Sequence, residues 1–189
     1  MAEEFLGDRK RALEEEFFRK QERSSLERMR AEQATQAVRE ELSQASGLKD
    51  AAVLDRLIGL GMQTDTLVAM GLVPLVAVAW ADGALDEKER QAVVLALGTA
   101  GIALASPAGQ LIQSWLASAP PASLLKAWRA YMAALCTQLS ATDRASLRDG
   151  VLARARAIAE AAGGFLGLGA KISQAEEEML RTLERAFTG

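Results

Sequence analysis

The sequence predicts an all-α protein: a compact helical bundle with a pseudo-twofold repeat of helix pairs, preceded by a long charged N-terminal helix. Half of the 189 residues are hydrophobic but only 5% are aromatic. Ala and Leu, both strong helix formers, dominate, and β-branched residues are sparse outside one central stretch. Apolar residues recur at helical spacing between Ser, Thr and Asp residues that can start helices and Gly or Pro residues that can stop them.

Residues 1–45 form the first unit and residues 46–189 the second. The first holds 20 of the 47 charged residues, in mixed sign, with no Pro and one Gly. Glu15–Arg19 and Glu16–Lys20 are i,i+4 pairs in the favourable order. This composition predicts one long, exposed helix. Leu6, Leu13 and Phe17 share a narrow face, too sparse for an extended coiled coil but suited to docking in a groove. Leu13, Phe17 and Phe18 are therefore the candidate partner-binding residues.

Ser46-Gly47 ends this helix. Asp50 caps a short amphipathic helix carrying Leu54, Leu57, Ile58 and Leu60, with Gly61 placed to terminate it. Thr64-Asp65 opens the central stretch. Residues 66–81 carry no charge, yet are too few for a bilayer span of roughly 20 residues. They predict a buried helix with Pro74 in its first turn or kinking it. Asp82-Gly83 forms an acidic turn. Asp86 and Glu89 then have capping-box spacing ahead of a helix bearing Ala92, Val93, Leu95, Ala96 and Leu97.

Ser106-Pro107 is a cap followed by Pro at the first helical position. It precedes Leu111, Ile112, Trp115 and Leu116. Pro120-Pro121 breaks the chain before a helix with Leu124, Leu125, Trp128, Tyr131, Met132, Leu135 and Leu139 on one face. Trp115, Trp128 and Tyr131 read as packing residues. Thr142 is expected to cap the next helix, which runs to Gly163, with Arg144, Arg148, Arg154 and Arg156 as a solvated face. Ser173 and Glu176 form a second capping box, ahead of a helix that buries Met179, Leu180, Leu183 and Phe187.

Composition excludes several function classes. The net charge of −3 disfavours nucleic-acid binding, which uses a basic face to displace counterions. The chain has no His, so it lacks the usual general acid–base group and the commonest metal ligand. The sequence thus gives no sign of an enzyme and calls for no cofactor; a bound metal would be Ca²⁺ or Mg²⁺ on oxygen ligands. The single Cys136 reads as a buried core thiol in a reducing compartment. With no apolar leader after the first charges, a cytoplasmic location is expected.

Ala79, Ala81, Asp82, Gly83, Leu85, Asp86 and Glu89 resemble the A-x-A-D-G-x-h-[DS]-x-x-E signature of the TerB-like (tellurite-resistance) helical domain. Similar domains occur beside the J-domain of DnaJ-type co-chaperones. The resemblance implies an all-helical fold over about residues 66–187 and a stress-linked interaction or scaffold role. It brings no agreed biochemical activity. A second resemblance lies in the N-terminal helix. Asp8, Arg9, Arg11, Ala12, Glu14 and Phe17 look like the D-R-x-R-A-x-E-x-x-F start of the zeta-type inhibitor of bacterial rotary ATPases. That would imply an ATPase inhibitor acting through this helix.

The region after Ala157 repeats the central one in outline: helix, Gly turn, hydrophobic residue, cap-x-x-Glu, helix. The second copy has Ala162 where the first has Asp82, and inserts residues 164–169. Two sites come from this comparison. The acidic turn offers Asp82, Asp86 and Glu89 as ligands for a divalent cation. The segment 163–173, GGFLGLGAKIS, lacks the G-K-[ST] of a phosphate-binding loop. Its Phe165, Leu166 and Leu168 would either plug the core or touch a membrane surface peripherally. The leading expectation is a non-enzymatic interaction module that contacts a protein partner through its N-terminal helix and acidic turn. Cation binding and ATPase inhibition are the alternatives.

Overall fold

The computed structural model describes residues 2–162 and 172–188, with side chains described from residue 16 onward. Every regular element among them is helical. By compactness the chain divides into residues 1–40 and 41–189. Leu13 lies in the first helix with its side chain outside the described set; Phe165, Leu166 and Leu168, with all of residues 163–171, also fall outside it.

The first helix, α1 (Ala2–Ser46), is continuous. From Glu16 to Glu40 nearly all its side chains are exposed, including Phe17, Phe18, Leu26 and Met29. Over this span Thr35 and Arg28 bond back to carbonyls four residues earlier, and Gln36 donates to Glu40 at 2.9 Å. No long-range packing is required for such a helix, because charge pairs and high-propensity residues stabilise it locally.

In the second unit the end of α1 anchors through one side chain: Leu42 has no exposed surface, while Gln44 and Ala45 stay exposed. Gly47 then takes φ +73, a left-handed conformation that Gly reaches without steric cost. Helix α2 (Ala51–Gly59) starts as expected, with Asp50 accepting from the Ala52 and Val53 backbone N–H groups. It ends with Gly61 at φ +73, where Gly61 N–H donates to Ile58 O and Met62 N–H to Leu57 O. Both bonds satisfy carbonyls that the helix end leaves free.

The central stretch departs from the sequence expectation. It is a 3₁₀ helix over Leu67–Leu72 followed by α3 (Val73–Ala79), rather than one helix. Pro74 sits in the first turn of α3. Its missing N–H cannot bond back to the carbonyl four residues earlier, and its ring clashes with an α-helical turn before it. Thr64 and Asp65 do not cap; the Thr66 hydroxyl instead accepts from Gln63 N–H at 2.8 Å. Val73, Leu75, Val76, Val78 and Ala79 are all buried, so α3 is apolar all round and lies in the core.

Helix α4 (Glu87–Thr99) buries Glu89, Val93 and Leu97. These are four residues apart, one face of a helix. Leu95 falls on the opposite side and is 73% exposed. Helix α5 (Pro107–Ala117) begins at Ser106, whose hydroxyl accepts from Gly109 N–H. Trp80 at the end of α3 donates its indole N–H to Trp115 O at 2.8 Å. Helix α6 (Ala122–Cys136) follows the Pro pair and buries Leu124, Trp128, Met132 and Cys136. Tyr131 is half-buried.

Helix α7 (Ala141–Ala162) is capped by Ser140, not Thr142: Ser140 Oγ accepts from Asp143 N–H and donates to Asp143 Oδ2. The hydroxyl two residues earlier has the reciprocal carboxylate three positions on. Of the expected solvated Arg face, Arg154 and Arg156 are exposed, while Arg144 and Arg148 are half-buried. Helix α8 (Gln174–Glu184) starts at the Ser173–Glu176 capping box. It runs into a 3₁₀ turn, Arg185–Phe187, whose Phe187 meets Trp128 edge-on. The pairs α3–α4 and α7–α8 pack on each other, with α3 against both α7 and α8 and α4 against α7. No helix among the described residues is long and apolar enough to cross a membrane.

Two glycines in helices separate packing from propensity. A Cβ on Gly109 would collide with Ala103 O and lie 2.8 Å from Leu104 Cα. On Gly150, in the middle of α7, it would meet nothing within 4 Å. Gly150→Ala is expected to raise stability by about 0.5–1 kcal/mol. Gly109→Ala is expected to lower it by about 1–3 kcal/mol, because backbone must shift. Urea melts of the two variants check both signs.

Candidate functional site

The acidic turn joins α3 to α4. After Trp80 the chain reverses through Gly83, which takes φ +90 and donates to Trp80 O. Asp82 Oδ1 accepts from Ala84 N–H at 3.0 Å and so holds the turn. Asp86 Oδ1 accepts from Glu89 N–H at 2.7 Å, and Glu89 Oε2 accepts from Asp86 N–H at 2.9 Å. The capping box expected from the sequence is therefore complete on both sides.

Capping fixes where these carboxylates go. Asp82 and Asp86 stay exposed, while Glu89 is turned inward and is only 5% exposed. Among the described residues no three acidic or thiol side chains form a group that could hold a metal ion. The structure therefore does not assemble Asp82, Asp86 and Glu89 as a three-carboxylate metal site. Each accepts a backbone N–H of its own turn, and the inward rotation of Glu89 separates it from the two aspartates in environment.

The second capping box produces the other half of the site. Glu176 Oε2 accepts from Ser173 N–H at 2.6 Å, and Ser173 Oγ accepts from Glu176 N–H at 3.2 Å. Glu176 is 6% exposed, and its Oε1 is buried with no hydrogen-bond partner among the described residues. A buried acceptor left unpaired costs about 1–3 kcal/mol. Glu89 and Glu176 are the two buried charged residues of the described core. They occupy the same position in the two copies of the repeat, and Glu176 acts electrostatically on Glu89.

Burial pushes the Glu89 carboxyl up from 4.5 to about 7. The Asp86 N–H bond opposes this, and the charges of Asp86, Glu176 and Asp82 add to it. Near neutral pH the site can therefore take up or release a proton, and its carboxylates attract a cation in proportion as they ionise. Sequence reasoning placed Glu176 as a cap only. The shared cap-x-x-Glu spacing is the signal that pairs it with Glu89, once the two helix pairs are packed together.

The partner-binding candidates lie in the other unit. Phe17 and Phe18 are 61% and 63% exposed and touch edge-on. Leu26 and Met29, which the sequence reading gave no special role, are 53% and 56% exposed. Cys136 is buried, and burial raises its thiol above the usual range.

No family model matches this chain, and neither the curated proteins nor the solved structures give a significant match.

The Glu89 shift has a definite sign for stability. Between pH 4.5 and about 7 the folded chain holds a proton that the unfolded chain has released. Stability is therefore highest below pH 4.5 as far as this group is concerned, falls through that window and levels off above it. A rise from 4.5 to about 7 corresponds to at most roughly 3 kcal/mol. Glu89→Gln keeps a carbonyl oxygen for the Asp86 N–H and does not titrate. It is expected to melt higher than the parent at pH 8 and to lose the parent's fall between pH 5 and 7, as measured by thermal melts at each pH.

Proposed function

We propose that this protein is a non-enzymatic interaction or scaffold module that engages a protein partner through α1. The exposed apolar side chains of α1 carry this reading. At 100° per residue, Phe18, Leu26 and Met29 fall within an arc of about 80°, and all are more than half exposed. Phe17 and Leu13 lie to one side of that stripe. An amphipathic helix with aromatic anchors is what a hydrophobic groove accepts. Large aromatic residues dominate the energy of such contacts. The resemblance of residues 79–89 to TerB-like stress (tellurite) resistance domains supports a cytoplasmic, stress-linked scaffold, with the acidic turn as a second contact surface.

The test is cross-linking and affinity capture with the full chain and with Phe17→Ser/Phe18→Ser. Both residues are exposed, so the fold is unaffected. The double variant is expected to lose the parent's stoichiometric partner by at least about tenfold. An identical set of captured proteins at equal yield overturns the reading.

A second reading is favoured by the unpartnered Glu176 Oε1: a divalent cation bound between Glu89 and Glu176. Mg²⁺ is often held by only one or two carboxylates with water completing its shell. Millimolar Mg²⁺ or Ca²⁺ is then expected to raise the Tm of the parent at pH 8 and to leave Glu176→Gln unchanged. Equal response of the two proteins, or none in the parent, ends this reading.

A further inference from the structure

The sulfur atoms of the chain differ sharply in their access to solvent. Of its six methionines, Met62, Met70 and Met132 are buried and Met179 is half-buried. Met29, on α1, is 56% exposed. Cys136 is buried too, and burial raises its thiol above the usual range, which keeps down the thiolate that a peroxide attacks. A buried sulfur meets a solute oxidant only when the surrounding structure opens. An exposed thioether needs no such opening. Among the described side chains, Met29 is therefore the thioether that a peroxide in solution reaches first.

Position as well as exposure sets Met29 apart. At 100° per residue it lies about 20° from Phe18 and about 60° from Leu26, between the two around the helix axis. All three are more than half exposed. The thioether thus stands inside the apolar stripe of α1, and oxidation changes what it offers there. Its sulfur lone pair attacks one oxygen of hydrogen peroxide. The O–O bond breaks, an S–O bond forms, and the proton on the transferred oxygen passes to the departing hydroxide, which leaves as water. Sulfur is oxidised by two electrons and the peroxide is reduced by two. The product, methionine sulfoxide, is polar and a strong acceptor. An apolar groove has no donor for it, and burying an unpaired polar group is unfavourable. A sulfoxide reductase reverses the change with a dithiol, giving the thioether, a disulfide and water.

We propose that Met29 is a reversible oxidation site, and that a hydroperoxide releases the partner of α1 by converting its thioether to the sulfoxide, a role that presupposes α1 as the partner-binding helix. The glutamate pair plays no part in it.

The experiment exposes the full chain to millimolar hydrogen peroxide and maps the oxygen gained at each methionine over time by mass spectrometry. Catalase then removes the peroxide, so that the partner itself is not oxidised. Capture is measured for the parent, Met29→Leu and Phe17→Ser/Phe18→Ser, each protein against itself before and after peroxide. Sulfoxide is expected at Met29 at least about tenfold faster than at Met62, Met70 and Met132. The oxidised parent is expected to capture its partner at least about tenfold more weakly, and sulfoxide reductase with dithiothreitol to restore it. Met29→Leu, with no sulfur at this position, is expected to hold its own starting level. Equal oxidation of Met29 and the buried methionines, unchanged capture by the parent carrying the sulfoxide, or an equal loss in Met29→Leu overturns the proposal. Where the oxidised parent keeps a partner that Phe17→Ser/Phe18→Ser loses, the oxidation step fails and the α1 reading stands. Where the double variant keeps the partner as well, the α1 reading has failed and the proposal with it.

Discussion

The Asp86 backbone N–H and the Glu89 carboxylate form a hydrogen bond that starts α4 and, in doing so, takes a charge out of water. The same bond recurs between Ser173 and Glu176 at the start of α8. Capping stabilises each helix by about a kcal/mol, but it also fixes the direction of each glutamate. Since α3–α4 and α7–α8 pack on each other, both carboxylates are directed into the same bundle. A buried carboxylate needs a proton, a cation or enough donors. Glu89 has one donor from Asp86 and a carboxyl raised to about 7; Glu176 has one oxygen with no partner among the described residues. The helix junctions therefore hold the least settled charge in the described core.

Around that junction the packing is conventional. α3 is too short, at seven residues, to be stable alone, and its stability comes from burial on every side. The Trp80 indole tied to Trp115 O and the Trp128–Phe187 edge contact fasten α3 to α5 and α6 to the C-terminal turn. Such contacts leave little freedom for the acidic turn, whose own N–H groups are taken by Trp80 O, Asp82 and Glu89. The polar chemistry of the unit thus sits on a rigid frame. The α1 segment 16–40 differs, with side chains mostly in solvent and bonds such as Thr35 to the Ala31 carbonyl and Gln36 to Glu40 made within the helix itself.

Much of this was legible in the sequence because helix ends are encoded locally. Asp50, Asp86, Ser106 and Ser173 all cap where their spacing placed them. Gly47 and Gly61 stop helices where left-handed geometry is needed. Legibility failed where two local choices compete. Ser140 and Thr142 are both good caps, and the reciprocal bond to Asp143 selects Ser140. Around Pro74 the apolar run gives no period, so a 3₁₀ segment and an α-helix read alike. The candidate site was half legible. The capping boxes could be read from spacing, but whether Glu89 faces its own aspartates or the second copy's glutamate depends on tertiary packing.

The capping glutamate of α4 is buried in an under-compensated site. Carbon-detected NMR of the Glu89 side-chain carboxyl through a pH titration measures this directly. A midpoint near 7 is expected. A midpoint at the ordinary glutamate value of about 4.5 would show a solvated carboxylate and contradict it.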